Sequence, residues 1–242
     1  MELKKLSENR VIAASLILFV IIAGLTAILN RLLILPDTLQ NEEKKNRWRN
    51  ILSVLPEYPV NTKDGKIYLK PADDYEHNHA HTPEMYPLYP YQLYGLGMEN
   101  IDLLKNTFLN GTITEEERMN GGAWYQGVIH FARLGMTKEA KETINHKLAD
   151  GPFRFPGFSV GGDHSPDHNR SGSGMIGLQE MLLQTHDGKL HLFPAWPEEW
   201  DVEFKLHAPG KTIISGKRIN GELTRLEIVP KSRRKDLIIY LK

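Results

Sequence analysis

A run of 19 residues without a charged side chain, residues 11–29, most limits how this chain can fold. As a helix it would be roughly 28 Å long, close to the thickness of the hydrocarbon core of a bilayer. Such an apolar surface must be covered either by lipid or by other parts of the protein. Lys4, Lys5 and Arg10 precede the run, as expected for a single-pass membrane anchor whose N-terminus stays inside the cell.

Two other interpretations of this segment stay open. Arg31 is followed by a second apolar stretch that ends at Pro36, which favours a helix buried in a soluble helical core. A cleaved signal peptide is the third interpretation, although the apolar run is long and its small residues lie inside it. We treat residues 1–36 as a hydrophobic N-terminal helix, and the sequence slightly favours an exported or membrane-anchored protein over a cytoplasmic one.

The charge balance argues against nucleic acid as a partner. The 242 residues contain 30 Lys and Arg against 30 Asp and Glu, so no basic excess attracts phosphate groups. The absence of cysteine removes disulfides, thiol nucleophiles and thiolate metal ligands. His, Tyr and Trp gather between Trp48 and Trp200, a composition that suits a polar cleft which stacks a ring-shaped ligand.

The middle of the chain, residues 37–196, alternates between helical patterns and loops. Residues 124–134 are apolar nearly all round, whereas residues 137–148 are polar on most faces. Inner and outer helices joined by short turns predict a helical bundle or toroid. The predicted helices are 42–55, 100–107, 113–120, 124–134, 137–148 and 175–184.

After Pro197 the pattern changes to period two, which is typical of strands. Asn220-Gly221 between two alternating runs is a strong hairpin signal, and Pro209-Gly210 marks another turn. Residues 197–242 are therefore predicted to form a small antiparallel β unit. The predicted strands are 201–207, 211–219, 222–229 and 236–241.

Three histidines, His77, His79 and His81, alternate in a loop that is rich in Tyr and Pro. In an extended chain they share one side, where they would hydrogen-bond sugar hydroxyls or satisfy buried polar groups. A third interpretation is a Zn²⁺ site completed by a residue of the later polar loop, such as His168. Neither a helical His-Glu-x-x-His motif nor a cysteine accompanies them, so we predict no metal and no cofactor.

Further candidates lie near two apolar helices. Trp124 and Tyr125 follow a Gly-Gly pair at a helix start, where an aromatic ring stacks on a pyranose face or belongs to the core. Glu180 lies in an apolar helix. It is either a buried acid with a raised pKa or, as the sequence favours, the partner of an arginine such as Arg170 or Arg133.

Three stretches of the chain carry a family resemblance. They are LQEMLLQTHDGKLHLFPAWPEEW at 178–200, HNHAHTPEMYPLYP at 77–90 and WYQGVIHFARLG at 124–135. Together they resemble glycoside hydrolase family 95, the α-L-fucosidase-like (α/α)6-barrel enzymes. The resemblance covers roughly residue 48 to the C-terminus and is most specific between residues 177 and 196.

The resemblance implies a mainly α fold, a partial (α/α)6 barrel (six-hairpin glycosidase-like) at 37–196 followed by the β unit. The family has an N-terminal β-sandwich and twelve barrel helices, and this chain has room for about half a barrel. A second chain would then supply the rest. The resemblance implies that the family's general-acid Glu and paired Asn residues would lie in an upstream part, which we expect to be absent from this chain.

The polar loop at 161–174 is where the resemblance implies a catalytic site. Asp167 best matches the family's loop Asp, in Asp-His-Asn where the family has Asp-Gly-Asn, with a spacing two residues longer. It would orient or activate the attacking water, with Asn169 beside it. Asp163 is a weaker candidate, and the other interpretation is a loop whose carboxylates satisfy backbone N–H groups.

The first functional hypothesis is a glycoside hydrolase-like protein that acts on or binds an oligosaccharide or polysaccharide, as a truncated and inactive fragment or as an inverting glycosidase. Its substrate-binding residues would be His77, His79, His81, Trp124, Tyr125 and His168. The alternative is a non-catalytic carbohydrate-binding or membrane-anchored scaffold protein. A metal-dependent hydrolase built on the three histidines is the third hypothesis.

Overall fold

The protein is described from a computed structural model that covers residues 2–72, 75, 82–119, 124–154 and 168–240, with side chains from Ala14 onward in the first helix. The chain divides into two compact units. The first comprises Met1–Tyr94 and Glu99–Thr114, and the second comprises Gly95–Met98 and Glu115–Lys242.

The first unit combines three helices with a short β-hairpin. Helix α2 begins at an Asn41 N-cap, whose side chain accepts a hydrogen bond from the Lys44 N–H at 2.9 Å. The Leu69 N–H donates to the Thr107 hydroxyl at 2.8 Å, which holds the hairpin to α3. The elements are α1 (Glu2–Leu33), α2 (Glu42–Val54), β1 (Val60–Lys63), β2 (Lys66–Leu69), a 3-10 helix (Pro83–Met85) and α3 (Ile101–Asn110).

Helix α1 contains a 20-residue segment, Ala14–Leu33, that is long and apolar enough to cross a membrane, with a mean hydropathy of 2.3. One face of this segment is buried within the unit, and its members include Phe19, Ile22 and Ala23. The rings of Phe19 and Tyr58 lie 5.2 Å apart between centroids. Since a third of the segment is buried by protein, its environment differs from that of an isolated membrane span.

The second unit contains four helices that pack together. Helix α5 contacts α4, α6 and α7, and α6 also contacts α7. Every residue of α5 is buried, as its nearly continuous apolar sequence predicts. The helices are α4 (Glu115–Met119), α5 (Gly127–Arg133), α6 (Thr137–Lys147) and α7 (Asn169–Leu182).

Two three-stranded sheets follow the helices. The antiparallel order β5-β6-β7 and the turns at Pro209-Gly210 and Asn220-Gly221 match the first three strands predicted after Pro197. The prediction of one antiparallel unit over 197–242 is wrong for the fourth strand, which joins a different sheet. The other sheet has the order β3-β4-β8, in which β8 pairs in parallel with β4. The strands are β3 (Leu183–His186), β4 (Lys189–Leu192), β5 (Val202–Ala208), β6 (Thr212–Ile219), β7 (Glu222–Val229) and β8 (Leu237–Ile239), with a 3-10 helix at Lys231–Asp236.

The prediction of a mainly α chain with a partial (α/α)6 barrel is wrong. The described residues form a mixed α/β structure with three small sheets. The error is clearest at the end of α7, where the sequence predicts helix to residue 184 and the chain instead enters β3 at Leu183. The Asp187-Gly188 turn pairs this segment with β4, because both residues adopt the positive φ that a tight hairpin requires.

The contact between α5 and α7 depends on Gly177. A Cβ built there would lie 2.5 Å from a methyl group of Val128, and Val128 is stiff because it is β-branched. We expect Gly177→Ala to lower the free energy of unfolding by about 1–3 kcal/mol through overpacking. Val128→Ala in the same chain should restore part of that loss, as urea denaturation of both single variants and the double variant would measure.

Gly172 in the same helix is the matched control. A Cβ at this position meets nothing within 4 Å. Gly172→Ala should therefore raise stability by about 0.5–1 kcal/mol through the gain in helix propensity. Equal effects of the two alanine substitutions would contradict the close α5–α7 contact.

Candidate functional site

Several residues that the sequence selects lie outside the described residues. These are His77, His79, His81, Asp163 and Asp167. Their predicted roles in sugar binding, metal binding or catalysis stay predictions. The described candidates are Trp124, Tyr125, His168 and Asn169, all in the second unit.

These four candidates lie at the ends of two helices that are tied to α6. His168 and Asn169 stand at the start of α7, and both are exposed. The Lys147 ammonium at the end of α6 donates to the Tyr125 carbonyl at 2.9 Å. The Arg170 Nε donates to the Lys147 carbonyl at 3.0 Å. The segment before α5 and the start of α7 are therefore both held at the C-terminal end of α6.

A cleft of about 560 Å³ opens on another part of the second unit. Two tryptophans, Trp196 and Trp200, line it, with their rings 5.5 Å apart between centroids and nearly perpendicular. Both are half-buried, so parts of their ring surfaces face solvent. The other lining residues are Ile144 and Asn145 of α6, Leu148 just after it, Leu178 of α7, and Glu199 and Asp201.

The loop that carries both tryptophans is fixed by hydrogen bonds. The Trp196 indole N–H donates to the Trp200 carbonyl at 3.0 Å. The buried Arg218 guanidinium donates to the Pro197 carbonyl at 3.1 Å. Asp201 accepts from the Asn220 N–H at 2.8 Å. Backbone and side-chain bonds thus hold the rings in place before any ligand arrives, which lowers the entropy cost of binding.

The polar side chains that line the cleft are the carboxylates of Glu199 and Asp201 and the amide of Asn145. Glu199 is exposed and forms an ion pair with Lys141. The hydrogen bond from Lys141 lowers the pKa of the Glu199 carboxyl, so this group is ionised at neutral pH. A carboxylate that is ionised at neutral pH accepts hydrogen bonds and is a poor general acid. The chemistry of the cleft therefore fits binding of hydroxyl groups better than proton donation.

Sequence reasoning selected this segment only as part of a family resemblance and missed its pair of rings. The signal was available, because two tryptophans flank Pro-Glu-Glu at 196–200. The sequence does not predict that these rings face α6 and α7. That orientation depends on Arg218, which is distant along the chain.

A buried ion pair joins α5 to α7. The Arg133 Nη1 lies 2.9 Å from the Glu180 carboxylate, and the Arg133 side chain is fully buried. This confirms the expected pairing of Glu180 with an arginine, here Arg133, and 15% of the Glu180 side chain stays exposed. Burial raises the pKa of Glu180, and the adjacent Arg133 guanidinium opposes that rise. Gln184 donates to the Ala132 carbonyl at 2.7 Å beside the pair.

Two histidines stack beneath this pair, although the sequence predicts no more than a turn at His186. The rings of His186 and His191 lie 3.9 Å apart and nearly parallel. His186 Nε2 lies 2.9 Å from the Leu96 carbonyl, and His191 Nδ1 lies 2.9 Å from the Tyr240 hydroxyl. Burial lowers the pKa of both imidazoles, that of His191 to about 4. Two neutral rings therefore tie β3, β4 and the residue after β8 together.

The ion pair and the two stacked histidines form a polar cluster inside the second unit. Neither Glu180 nor the two histidines line the tryptophan cleft. Within the part of the chain that the structure describes, no group of three His, Asp or Glu side chains is placed to hold a metal ion. The tryptophan cleft is therefore the described feature best suited to a ligand.

Comparisons with protein-family models and with curated proteins find no match to this sequence.

Proposed function

We propose that this chain binds a carbohydrate in the cleft beside Trp196 and Trp200. The observation that carries the proposal is a pair of half-buried indole rings, one of them hydrogen-bonded to the backbone, above an apolar floor with carboxylate and amide groups at its edge. The apolar face of a pyranose packs against an indole ring, while its hydroxyls bond to side-chain oxygens and amides. The resemblance of residues 178–200 to family 95 supports the same ligand class.

The charge of the cleft narrows the ligand class. Glu199 and Asp201 are both exposed carboxyl groups at its edge. They accept hydrogen bonds from the hydroxyls of a neutral sugar or from the ammonium group of an amino sugar. They would repel uronic and sialic acids, because two like charges at short range disfavour binding. Neutral glycans are thus the expected ligands and acidic glycans the expected non-ligands.

Trp200→Ala tests the proposal on the folded chain. Its carbonyl, which accepts the Trp196 bond, belongs to the backbone and is retained in the variant. We expect the dissociation constant for a glycan selected on an array to rise about 5- to 30-fold, from the loss of roughly 1–2 kcal/mol of ring contact. Calorimetric titration would measure the change, and Trp200→Phe should retain most of the affinity.

Trp48→Ala in the first unit is the control, because Trp48 is also half-buried but lies on α2. It should leave glycan affinity unchanged. An array that shows binding to no neutral glycan would overturn the proposal, as would equal affinity of the native chain and Trp200→Ala.

Hydrolysis by Asp167 and Asn169 stays a prediction that the family resemblance implies. The cleft itself offers an ionised Glu199 in place of a proton donor. Aryl glycosides added to the same preparations separate binding from cleavage. Release of the aryl alcohol that persists in Trp200→Ala would point to a second site, in the polar loop.

A further inference from the structure

An apolar stripe runs along the side of α1 that faces away from the first unit. Ile17, Leu18, Ile21, Leu25 and Ile28 are between 36% and 60% exposed. Their spacing of one, three, four and three residues places all five on one helical face. Large aliphatic side chains so exposed over three turns mark an interaction surface rather than scattered surface residues.

The opposite face of α1 is covered by the first unit itself. Phe19 contacts Tyr58, and a Cβ at Gly24 would lie 3.2 Å from the Tyr91 hydroxyl. Helix α2 packs against α1. Because Tyr58 lies just beyond the end of α2, this helix runs back alongside α1 from Leu33 toward Phe19.

The charged residues of α2 make it unfavourable for α1 to span a bilayer in this fold. Six of its 13 residues are charged. A spanning α1 would carry these side chains into the hydrocarbon core, where each costs several kcal/mol. A helix that lies in the plane of the membrane avoids this cost, because its charged neighbour stays in the headgroup layer or in water.

The charge of the N-terminal segment complements anionic lipid. Residues 1–50 contain eight Lys and Arg against five Asp and Glu, although the whole chain has no net charge. Three of the basic residues, Lys4, Lys5 and Arg10, precede the stripe on α1, and four others lie on α2. An apolar face flanked by basic groups is the pattern of helices that bind membrane surfaces.

We propose that α1 lies in the plane of a membrane, with the stripe from Ile17 to Ile28 inserted among the acyl chains of anionic lipids. The first unit is then the membrane-binding part of the chain. This inference stands on residues of the first unit and is independent of sugar binding in the second.

The absence of cysteine in the native chain allows single-cysteine labelling of the full-length protein. A polarity-sensitive fluorophore on Ile21→Cys should shift to shorter wavelength when phosphatidylcholine vesicles that contain phosphatidylglycerol are added. The same fluorophore on Ser53→Cys, exposed on α2, should not shift. A membrane-impermeant maleimide should label both Ser7→Cys and Ser53→Cys from outside sealed vesicles. Protection of one of them until the vesicles are lysed would show a spanning helix and overturn the proposal.

The double variant Ile21→Lys, Leu25→Lys should lower the vesicle-bound fraction at least about tenfold, since two charges enter the inserted face. Ile67→Lys is the matched control, with a similarly exposed isoleucine on β2 of the same unit. Equal loss in the control would refute the role of the stripe. Absence of vesicle binding, with oligomers that the double variant disperses, would assign the stripe to a second copy and also overturn the proposal.

Discussion

Arg133→Ala is expected to lower the free energy of unfolding of the second unit by about 3–5 kcal/mol. The substitution leaves the Glu180 carboxylate without the guanidinium that lies 2.9 Å away. It also opens a cavity, because Arg133 is among the largest fully buried side chains of the described chain. Total stabilities of such domains are about 5–15 kcal/mol, so the effect should be evident in urea denaturation.

A double variant separates the loss of the pair from the loss of packing. Arg133→Met with Glu180→Leu replaces both charges by apolar side chains of similar length, and it should be more stable than Arg133→Ala. Its stability should also exceed that of Arg133→Met alone, in which Glu180 keeps an unpaired carboxylate. If the double variant were the least stable of the three, the attraction between Arg133 and Glu180 would outweigh the cost of burying both charges, and the prediction would be wrong.

Lys141→Ala is the matched control on the surface. Lys141 and Glu199 also form an ion pair, but both side chains are largely in solvent. The entropy of ordering two long side chains offsets most of the attraction between exposed charges. The free energy of unfolding should therefore change little, in contrast to the effect of Arg133→Ala.

Acidification from pH 7 to pH 4 is expected to destabilise the second unit by roughly 6 kcal/mol, about 3 kcal/mol from each of two buried histidines. Burial, together with the charge of Arg133, lowers the pKa of His130 from 6.5 to about 3, and burial lowers that of His191 from 6.5 to about 4. The unfolded chain takes up these protons near pH 6.5, whereas the folded chain does not. Stability is therefore fully present above pH 6.5 and falls until the pH reaches the folded pKa values.

The slope of the unfolding free energy against pH tests whether the buried histidines cause this loss of stability. His191→Gln keeps an amide near the Tyr240 hydroxyl and should lower proton uptake on unfolding between pH 4 and 6.5 by about one proton. His207→Gln, at an exposed histidine of β5, should leave the slope unchanged. The charged groups that face the stacked rings are Arg133 and Asp187. If His191→Gln and His207→Gln changed the slope equally, the carboxylates rather than the buried rings would account for acid sensitivity.

Local pattern predicted most helices and strands of the second unit. Period two and the Asn220-Gly221 turn predicted β6 and β7, because hairpin geometry depends on a few neighbouring residues. The predicted C-terminal end of α7 was two residues too long, because local pattern did not show where helix changes to strand. An apolar run such as Met181–Gln184 fits either a buried helix or a buried strand until its partner strand is known.

The candidate site depended on contacts that periodicity does not encode. Glu180 was expected to pair with Arg170 or Arg133, and only the packing of α5 on α7 selects Arg133. Arg170 instead donates to carbonyls at the end of α6. His186 looked like a turn residue, although its ring lies under Gly95, where a Cβ would meet it at 2.3 Å. Long-range neighbours of this kind are set by tertiary structure.

The parallel pairing of β4 with β8 has a consequence for the order of folding. The β3–β4 hairpin can close locally, but Leu190 finds its partner Leu237 only across the whole β5-β6-β7 sheet. Closing so long a loop from a flexible chain is entropically costly and slow. Because prior formation of β5-β6-β7 shortens the effective loop, we expect this sheet to form before β8 pairs with β4.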